Sequence, residues 1–277
     1  MKHVAALLLL VLTLAACDRG SAPPVSAPSP AATTPASPPD AATVAMEDVI
    51  ETTSDYVIGI SYTPTLSKYP PLAAIARRYA DEARADLMQA VGSREAGAGN
   101  AMYDLSLTFS EVLDSPTLVA IAADGSSYTG GAHGTPLLAR FVWLPQQNRL
   151  LKATDLIPDR SGWQAIAAHV REQLHTAMSQ RIDADELPAG ERSQVMKNAG
   201  GMIDEGTEPD PANFAQFEPV AQPSGALAGL RFVFAPYQVG PYSDGVQTVQ
   251  VPASVLLPHV APAYRDLFAN PDRTTAR

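Results

Sequence analysis

The sequence is poor in cysteine and in basic residues. Cys17 is the only cysteine among 277 residues, so the chain cannot close an intramolecular disulfide or build a zinc site from several thiolates. Lys and Arg number 19 against 29 Asp and Glu, which gives a formal net charge of −10. Because phosphate contacts require a basic surface, we expect no nucleic-acid partner, and we expect no polybasic membrane patch.

Long hydrophobic runs are also missing. The apolar stretch at residues 4–14 follows Lys2 and is too short to span a bilayer as a helix, which needs roughly 20 residues. It is typical of the hydrophobic region of a signal peptide, and we assign residues 1–16 to that role. The stretch ends in Leu-Ala-Ala-Cys and resembles a bacterial lipobox, which predicts lipid attachment at Cys17. An ordinary signal peptide followed by a chance cysteine is the alternative.

The residues after Cys17 predict a tether and a location. Residues 17–45 are dominated by Ala, Pro, Ser and Thr, a composition that cannot bury a core, so we expect a disordered tether with polyproline II character. Loss of Lys2 with the signal peptide would change the net charge to −11. The predicted location is the bacterial cell envelope, facing the periplasm. Asp18 resembles an inner-membrane retention signal, although the outer membrane remains open.

The rest of the sequence predicts an α+β fold of two closely joined subdomains, residues 46–150 and 151–268, with a frayed tail at 269–277. We expect antiparallel sheets with helices packed on one face. Helices are predicted at 70–91, at 161–180 with a capping box from Ser161 to Gln164, and at 191–197, with a broken closing helix at 253–268. Strands are predicted at 56–62, 103–109, 117–123, 137–144, 214–220, 227–234 and 246–251.

A glycine-rich stretch at residues 128–134 is the most distinctive motif. Paired glycines between two strands favour a positive φ or a close backbone approach. A tight structural turn with His133 bonded to nearby backbone is one interpretation. In the other, the glycine amides bind an anion and His133 acts as a ligand or an acid–base group. The residues of this motif are Tyr128, Thr129, Gly130, Gly131 and His133.

A second motif lies at residues 234–245. Asp244 and Gly245 form a strong hairpin-turn pair. Tyr237 and Tyr242 are candidate anchors for a binding partner, because tyrosine is frequent at binding hot spots. Half-buried structural tyrosines are the alternative interpretation.

Catalysis has no positive support in the sequence, and we predict no catalytic residues, metal ligands or cofactor. Nucleophile-elbow, zinc-protease and phosphate-loop motifs are absent. His169 and His175 are six residues apart and lie on different faces of a helix. The acidic residues between Asp204 and Asp210 lack the spacing of an EF-hand and predict a solvated loop.

Together the two motifs resemble the RsiV-like extracytoplasmic module. These paired domains of unknown function occur in the lysozyme-sensing anti-sigma factor RsiV, in some peptidoglycan deacetylases and in stand-alone envelope lipoproteins. The resemblance covers roughly residues 46–268 and implies an α+β fold. The cytoplasmic sigma-binding segment of RsiV and the catalytic domain of the deacetylases are not evident in this sequence, so we do not carry over either activity.

What the resemblance does imply is ligand binding outside the membrane. We therefore expect a lipid-anchored, non-catalytic binding module for a protein or cell-wall ligand. A cationic envelope protein such as lysozyme, or peptidoglycan, is the expected partner, and an acidic module would steer a cationic partner electrostatically. The alternatives are a hydrolase acting on peptidoglycan or a related glycan, and a scaffold or assembly lipoprotein.

Overall fold

A computed structural model describes residues 46–94 and 101–269. The predicted signal peptide, Cys17, the tether to residue 45 and the tail beyond residue 269 lie outside the described residues. Within the described part, no helix is both long and apolar enough to cross a membrane.

The described residues form two sheets, five α-helices and several short 3-10 turns, which confirms the predicted α+β class. The strands are β1 (Val49–Thr52), β2 (Tyr56–Ser61), β3 (Tyr103–Asp114), β4 (Val119–Tyr128), β5 (Thr135–Leu144), β6 (Arg149–Leu150), β7 (Phe217–Ala221), β8 (Leu227–Phe234) and β9 (Gln247–Pro252). The α-helices are α1 (Pro70–Gly92), α2 (Ala153–Leu156), α3 (Arg160–Ala184), α4 (Ala189–Gly206) and α5 (Ala253–Leu256). The 3-10 turns are Pro64–Lys68, Pro145–Gln147, Pro211–Phe214, Tyr242–Asp244 and Pro262–Leu267.

The first sheet contains six strands among the described residues, in the order β1-β2-β3-β4-β5-β6. The predicted antiparallel meander is present as β3, β4 and β5. β2 pairs with β3 in parallel, so that Ile58 lies opposite Leu105. A parallel pair requires a crossover connection, and α1 supplies it. The helix packs its buried face, which includes Leu72, Ala76 and Leu87, on one side of this sheet.

The second half of the chain packs on the opposite side of the first sheet. Its own antiparallel sheet has the order β7-β8-β9 within the described part. Leu118, Ala120, Val142 and Leu144 of the first half share one hydrophobic core with residues of α3 and of this second sheet. Burial of that shared surface joins the two halves, because removing apolar area from water stabilises the packed state.

An ion-paired cluster also lies at this junction. The side chain of Arg140 on β5 is only 7% exposed, and its Nε lies 2.6 Å from Oε1 of Glu218 on β7. Its Nη2 lies 2.9 Å from Oδ1 of Asp124 on β4. Glu218 also pairs with Arg231 of β8 at 3.2 Å. Buried charges are tolerated only when they are paired, and here Arg140 and Glu218 each have such partners.

Three predictions for the second half were wrong. The capping box from Ser161 is absent, because α3 begins one residue earlier, at Arg160, and follows Asp159 as its N-cap. In place of the short helix at 191–197, α4 runs from Ala189 through its glycines to Gly206. The acidic residues Asp204 and Glu205 are therefore helical rather than part of a loop.

Candidate functional site

The two sequence motifs meet in the folded protein. The glycine-rich stretch forms the loop between β4 and β5, and the second motif forms the loop between β8 and β9. Nε2 of His133 lies 2.9 Å from the hydroxyl oxygen of Tyr237. The His133 ring stacks on the ring of Tyr242 with a centroid distance of 3.8 Å and an interplanar angle of 16°. We call His133, Tyr237 and Tyr242 the tyrosine–histidine ledge.

The carbonyl of Gly134 holds the ledge together. It accepts a hydrogen bond from the Tyr242 hydroxyl at 3.2 Å, and Nδ1 of His133 also lies 3.2 Å from it. A carbonyl oxygen only accepts, so in the neutral imidazole this contact requires the proton on Nδ1. Nε2 is then the acceptor for the hydroxyl of Tyr237. The tautomer and the ring orientation of His133 are thus set by the two neighbouring contacts.

The glycine loop supplies the turn that presents His133. Gly130 and Gly131 have φ values of +101° and +97°, in the region that the sequence predicted for them. A Cβ atom built on either glycine would meet no heavy atom within 4 Å. Glycine is therefore required here by backbone torsion and not by space. Thr129 is exposed beside them, and the hydroxyl of Tyr128 donates to the carbonyl of Gly131 at 3.1 Å.

Tyr237 combines exposure with backbone strain. Its side chain is 55% exposed, and its φ of +73° is rare for an aromatic residue. The turn at residues 235–240 imposes this conformation, because the Tyr237 amide donates to the carbonyl of Gly240 at 3.0 Å and the Gln238 amide donates to that of Ala235 at 3.0 Å. Such strain costs on the order of 1–3 kcal/mol and is concentrated at functional sites.

Tyr242 and Asp244 are more firmly embedded than Tyr237. Tyr242 is partly buried between His133 and its own 3-10 turn. Asp244 accepts from Nη2 of Arg181 on α3 at 2.7 Å, and Gly245 follows with a φ of +67°. Of the two predicted anchors, Tyr237 is therefore exposed and Tyr242 supports it. Asp244 and Gly245 shape the turn.

Sequence reasoning missed Arg181 and Gln238. Arg181 lies 63 residues before Asp244 on a separate helix, and no spacing rule connects them. Gln238 donates from Nε2 to the carbonyl of Asn213 at 2.9 Å and to that of Gly206 at 3.4 Å, which ties the loop of Tyr237 to the 3-10 turn at Pro211–Phe214 and to the end of α4. A Cβ atom on Gly206 would lie 1.9 Å from the Gln238 carbonyl oxygen, so this contact needs glycine.

Across residues 46–94 and 101–269, no cluster of three or more His, Cys, Asp or Glu side chains is placed to hold a metal ion. Asp204 accepts from Nε2 of His175 at 3.0 Å and lies 3.4 Å from Nε of Arg171. Asp210 caps the following 3-10 turn by accepting from the Ala212 amide at 2.9 Å. These carboxylates are thus engaged by neighbouring protein groups.

Comparisons with known proteins place the second half of the chain in context. Residues 154–254 match the family described as "Protein of unknown function (DUF3298)", a range that contains Tyr237 and Tyr242 but not His133. A comparison with curated proteins finds no match.

Two solved structures resemble this fold. A DUF3298 family protein from Pseudomonas aeruginosa PAO1 is 17% identical, with coverage of 81% of this chain and 96% of that chain and a TM-score of 0.51. A DUF3298 family member from Bacteroides fragilis NCTC 9343 is 17% identical, with coverage of 79% and 93% and a TM-score of 0.50. At this identity the likeness shows a shared fold alone. Residues 154–254 thus match the DUF3298 domain, and the fold of the chain is the one found in two DUF3298 family proteins.

Proposed function

We propose that this protein is a lipid-anchored component of the bacterial envelope, facing the periplasm, whose folded part is a non-catalytic binding module for a protein or cell-wall ligand. The finer resemblance to the RsiV-like module, carried by the motifs at residues 128–133 and 232–242, supports extracytoplasmic ligand binding. The observation that carries the proposal is Tyr237, a 55% exposed aromatic side chain held at a positive φ and bonded to His133.

The proposed ligand-contact surface is the tyrosine–histidine ledge. Tyr237 offers a large, preorganised ring, and a side chain fixed before binding loses little conformational entropy on contact. His133 holds the Tyr237 hydroxyl by a hydrogen bond, and His133 is itself stacked on Tyr242, whose hydroxyl donates to the carbonyl of Gly134. We propose a cationic envelope protein such as lysozyme as the partner, since the chain carries a formal net charge of −10. Opposite charge raises the rate of encounter.

The test measures association and dissociation of a cationic lysozyme on the full mature chain. Tyr237→Ala should raise the dissociation rate about tenfold and leave the melting temperature nearly unchanged, as expected for an exposed hot-spot side chain. Rising salt should lower the association rate of the wild type. Ile50→Ala is the matched control, because Ile50 is 83% exposed on β1, outside both motif loops.

Tyr242→Ala provides an internal contrast. Its loss removes a stacked ring and a hydrogen bond, so we expect a lower melting temperature as well as weaker binding. Absence of lysozyme binding at micromolar concentration would contradict the cationic partner. Unchanged dissociation in Tyr237→Ala would contradict the ledge as the contact surface.

Anchoring at Cys17 is a separate part of the proposal. Several acyl chains, each stabilised by about 0.8 kcal/mol per buried methylene, would hold the protein firmly on the membrane. The tether would keep the folded part away from the lipid surface. Incorporation of labelled palmitate should disappear in Cys17→Ala, and labelling that persisted in this variant would contradict the anchor.

A hydrolase acting on peptidoglycan or a related glycan is the second candidate function. One observation favours it, because the Tyr237 hydroxyl, Nε2 of His133 and the Gly134 carbonyl follow the order of nucleophile, base and orienting group. Turnover of purified peptidoglycan that His133→Ala abolishes would favour this candidate. Glycan binding without turnover would favour the binding module.

A further inference from the structure

A cavity of about 370 Å³ lies where the first sheet meets the second half of the chain. Its walls include Val142 of β5, Phe217 of β7, and Leu151, which follows β6. Each of these residues is at most 4% exposed. Ala212 and Ala215 line it as well, and their short side chains leave the space open. Small-molecule sites typically occupy roughly 300–1,000 Å³ and favour junctions between domains. The cavity is therefore large enough for one small ligand.

The lining is apolar apart from Thr154 and two basic residues, Arg140 and Lys152. Arg140 is neutralised by Glu218 at 2.6 Å and by Asp124 at 2.9 Å. Lys152 is exposed, and among the described residues no carboxylate lies within 4.0 Å of its ammonium group. The cavity thus presents one ammonium group without a direct ion-pair partner, although Asp155 is close enough to interact with it electrostatically.

A neighbouring cavity of about 480 Å³ shares Thr154 and Pro211 with the first. It is lined by Arg160 together with Glu208 and Asp210, so charges of both signs face it. The lining of this second cavity therefore favours neither an anionic nor a cationic ligand. Of these two cavities, only the first combines an apolar wall with a cation that has no direct ion-pair partner.

We propose that the 370 Å³ cavity binds a fatty carboxylate, with the alkyl chain against Val142 and Phe217 and the carboxylate beside Lys152. The apolar walls recognise the hydrocarbon, because burial of each methylene strengthens binding about fourfold. Lys152 selects the anionic head group, since its ammonium group can form with it the direct ion pair that no carboxylate of the described residues forms. The cavity volume suits one alkyl chain and not a two-chain lipid. This site is separate from the tyrosine–histidine ledge and does not depend on the function proposed for it.

The experiment uses the full mature chain with Cys17→Ala, so that no attached acyl chain competes. Calorimetric titration compares laurate with dodecanol and dodecyltrimethylammonium, the two ionic compounds below their micellar concentrations and dodecanol below its solubility limit. Laurate should bind at one molecule per chain and more tightly than either comparison compound. Octanoate and decanoate should bind progressively more weakly than laurate as the chain shortens.

Two variants separate the tail from the head group. Lys152→Glu should weaken laurate at least tenfold and change dodecanol less than twofold, while Ala215→Phe should fill the cavity and weaken both. Lys197→Glu is the matched charge control, because Lys197 is exposed on α4 and does not line the cavity. Melting temperatures check that each variant is folded. If Ala215→Phe does not fold, the affinity of Lys152→Glu for laurate and dodecanol tests the proposal by itself.

Three outcomes would overturn the proposal. The first is the absence of saturable laurate binding. The second is equal affinity for laurate and the ammonium compound, which would show that charge is not selected. The third is an equal loss of laurate affinity in Lys152→Glu and Lys197→Glu, which would reduce the effect to overall charge.

Discussion

Asp114 at the end of β3 is bonded to two side chains that precede α1. It accepts from Nζ of Lys68 at 2.6 Å and from the hydroxyl of Tyr69 at 2.8 Å. The hydrogen bond from Lys68 is the main cause that holds the pKa of Asp114 below its ordinary value of 3.8, and the bond from Tyr69 adds to it. Burial, together with the hydrogen bond to Asp114, raises the pKa of Tyr69 to about 12. The start of α1 is thus held by an ionised carboxylate and a neutral phenol.

The free energy of unfolding should depend on pH through these two groups, through Asp114 at acid pH and through Tyr69 at alkaline pH. A depressed carboxyl pKa stabilises the fold at pH values above the pKa of the unfolded chain. This stabilisation is lost as pH falls below about 4, so stability should depend less on pH in this acid range in Asp114→Asn. A raised phenol pKa stabilises the fold below pH 10. This stabilisation is lost between about pH 10 and 12, so stability should depend less on pH in this alkaline range in Tyr69→Phe. Urea unfolding across pH measures both, with the exposed Asp86→Asn as a control. Equal dependence of stability on acid pH in wild type and Asp114→Asn would contradict the assignment.

At the scale of single residues, the sequence predicted local backbone conformation, but it did not predict contacts between residues distant along the chain. The positive φ of Gly130 and Gly131 follows from a glycine pair between two strands. The contact of His133 with Tyr237 joins residues 104 positions apart, so only the folded chain reveals it. The Ser161 capping box was wrong because α3 already begins at Arg160 with Asp159 as its N-cap, which places Ser161 inside the first turn of the helix.

At the scale of elements, α4 differs most from its prediction. Gly200, Gly201 and Gly206 each disfavour an isolated helix by about 1 kcal/mol, which is why the sequence predicted a short helix at 191–197. Tertiary contacts reverse this preference, since Gly200 packs against the ring of His175 and Gly206 packs against the backbone of Gln238. The seven predicted strands and α1 were easier to predict, because their hydrophobic spacing already agrees with their burial.

Two glycines of α4 should respond oppositely to the same substitution. Gly201→Ala should stabilise the protein by about 0.5–1 kcal/mol, because Gly201 is exposed in the helix and a Cβ atom there meets nothing within 4 Å. Gly206→Ala should destabilise by about 1–3 kcal/mol, because its Cβ atom would lie 1.9 Å from the Gln238 carbonyl oxygen. Chemical denaturation measures both free energies of unfolding. Equal shifts in the two variants would show that helix propensity alone governs α4.

At the scale of the whole molecule, the two halves are held by a shared apolar core and by the cluster of Arg140 and Glu218. The order of predicted elements and the family resemblance predicted two closely joined subdomains but gave no sign of this ion pair. Its partners lie 78 residues apart on strands of different sheets. Charged residues on strands usually face water, so their burial here depends on how the sheets stack.

Removing one member of this cluster should be costly. Glu218→Ala should destabilise by about 3–5 kcal/mol, because it leaves the 7% exposed side chain of Arg140 without its closest partner. Arg231→Ala is the matched control and should cost under about 1 kcal/mol, since Arg231 is 43% exposed. Replacing Arg140 and Glu218 together by Met and Leu should recover much of the loss. Thermal and urea unfolding measure these changes, and a small loss in Glu218→Ala would show that the apolar core alone joins the halves.

The tyrosine–histidine ledge takes one ring from the loop after β4 and two from the loop after β8. A fragment cut at the limits of the family match, residues 154–254, would keep both tyrosines and lose His133 and the Gly134 carbonyl. Tyr237 would then have no acceptor in the first half, and Tyr242 would lose its stacking partner. Ligand screens on such a fragment would sample a surface that the intact protein never displays, so the boundaries of the sequence family are not the boundaries of this site.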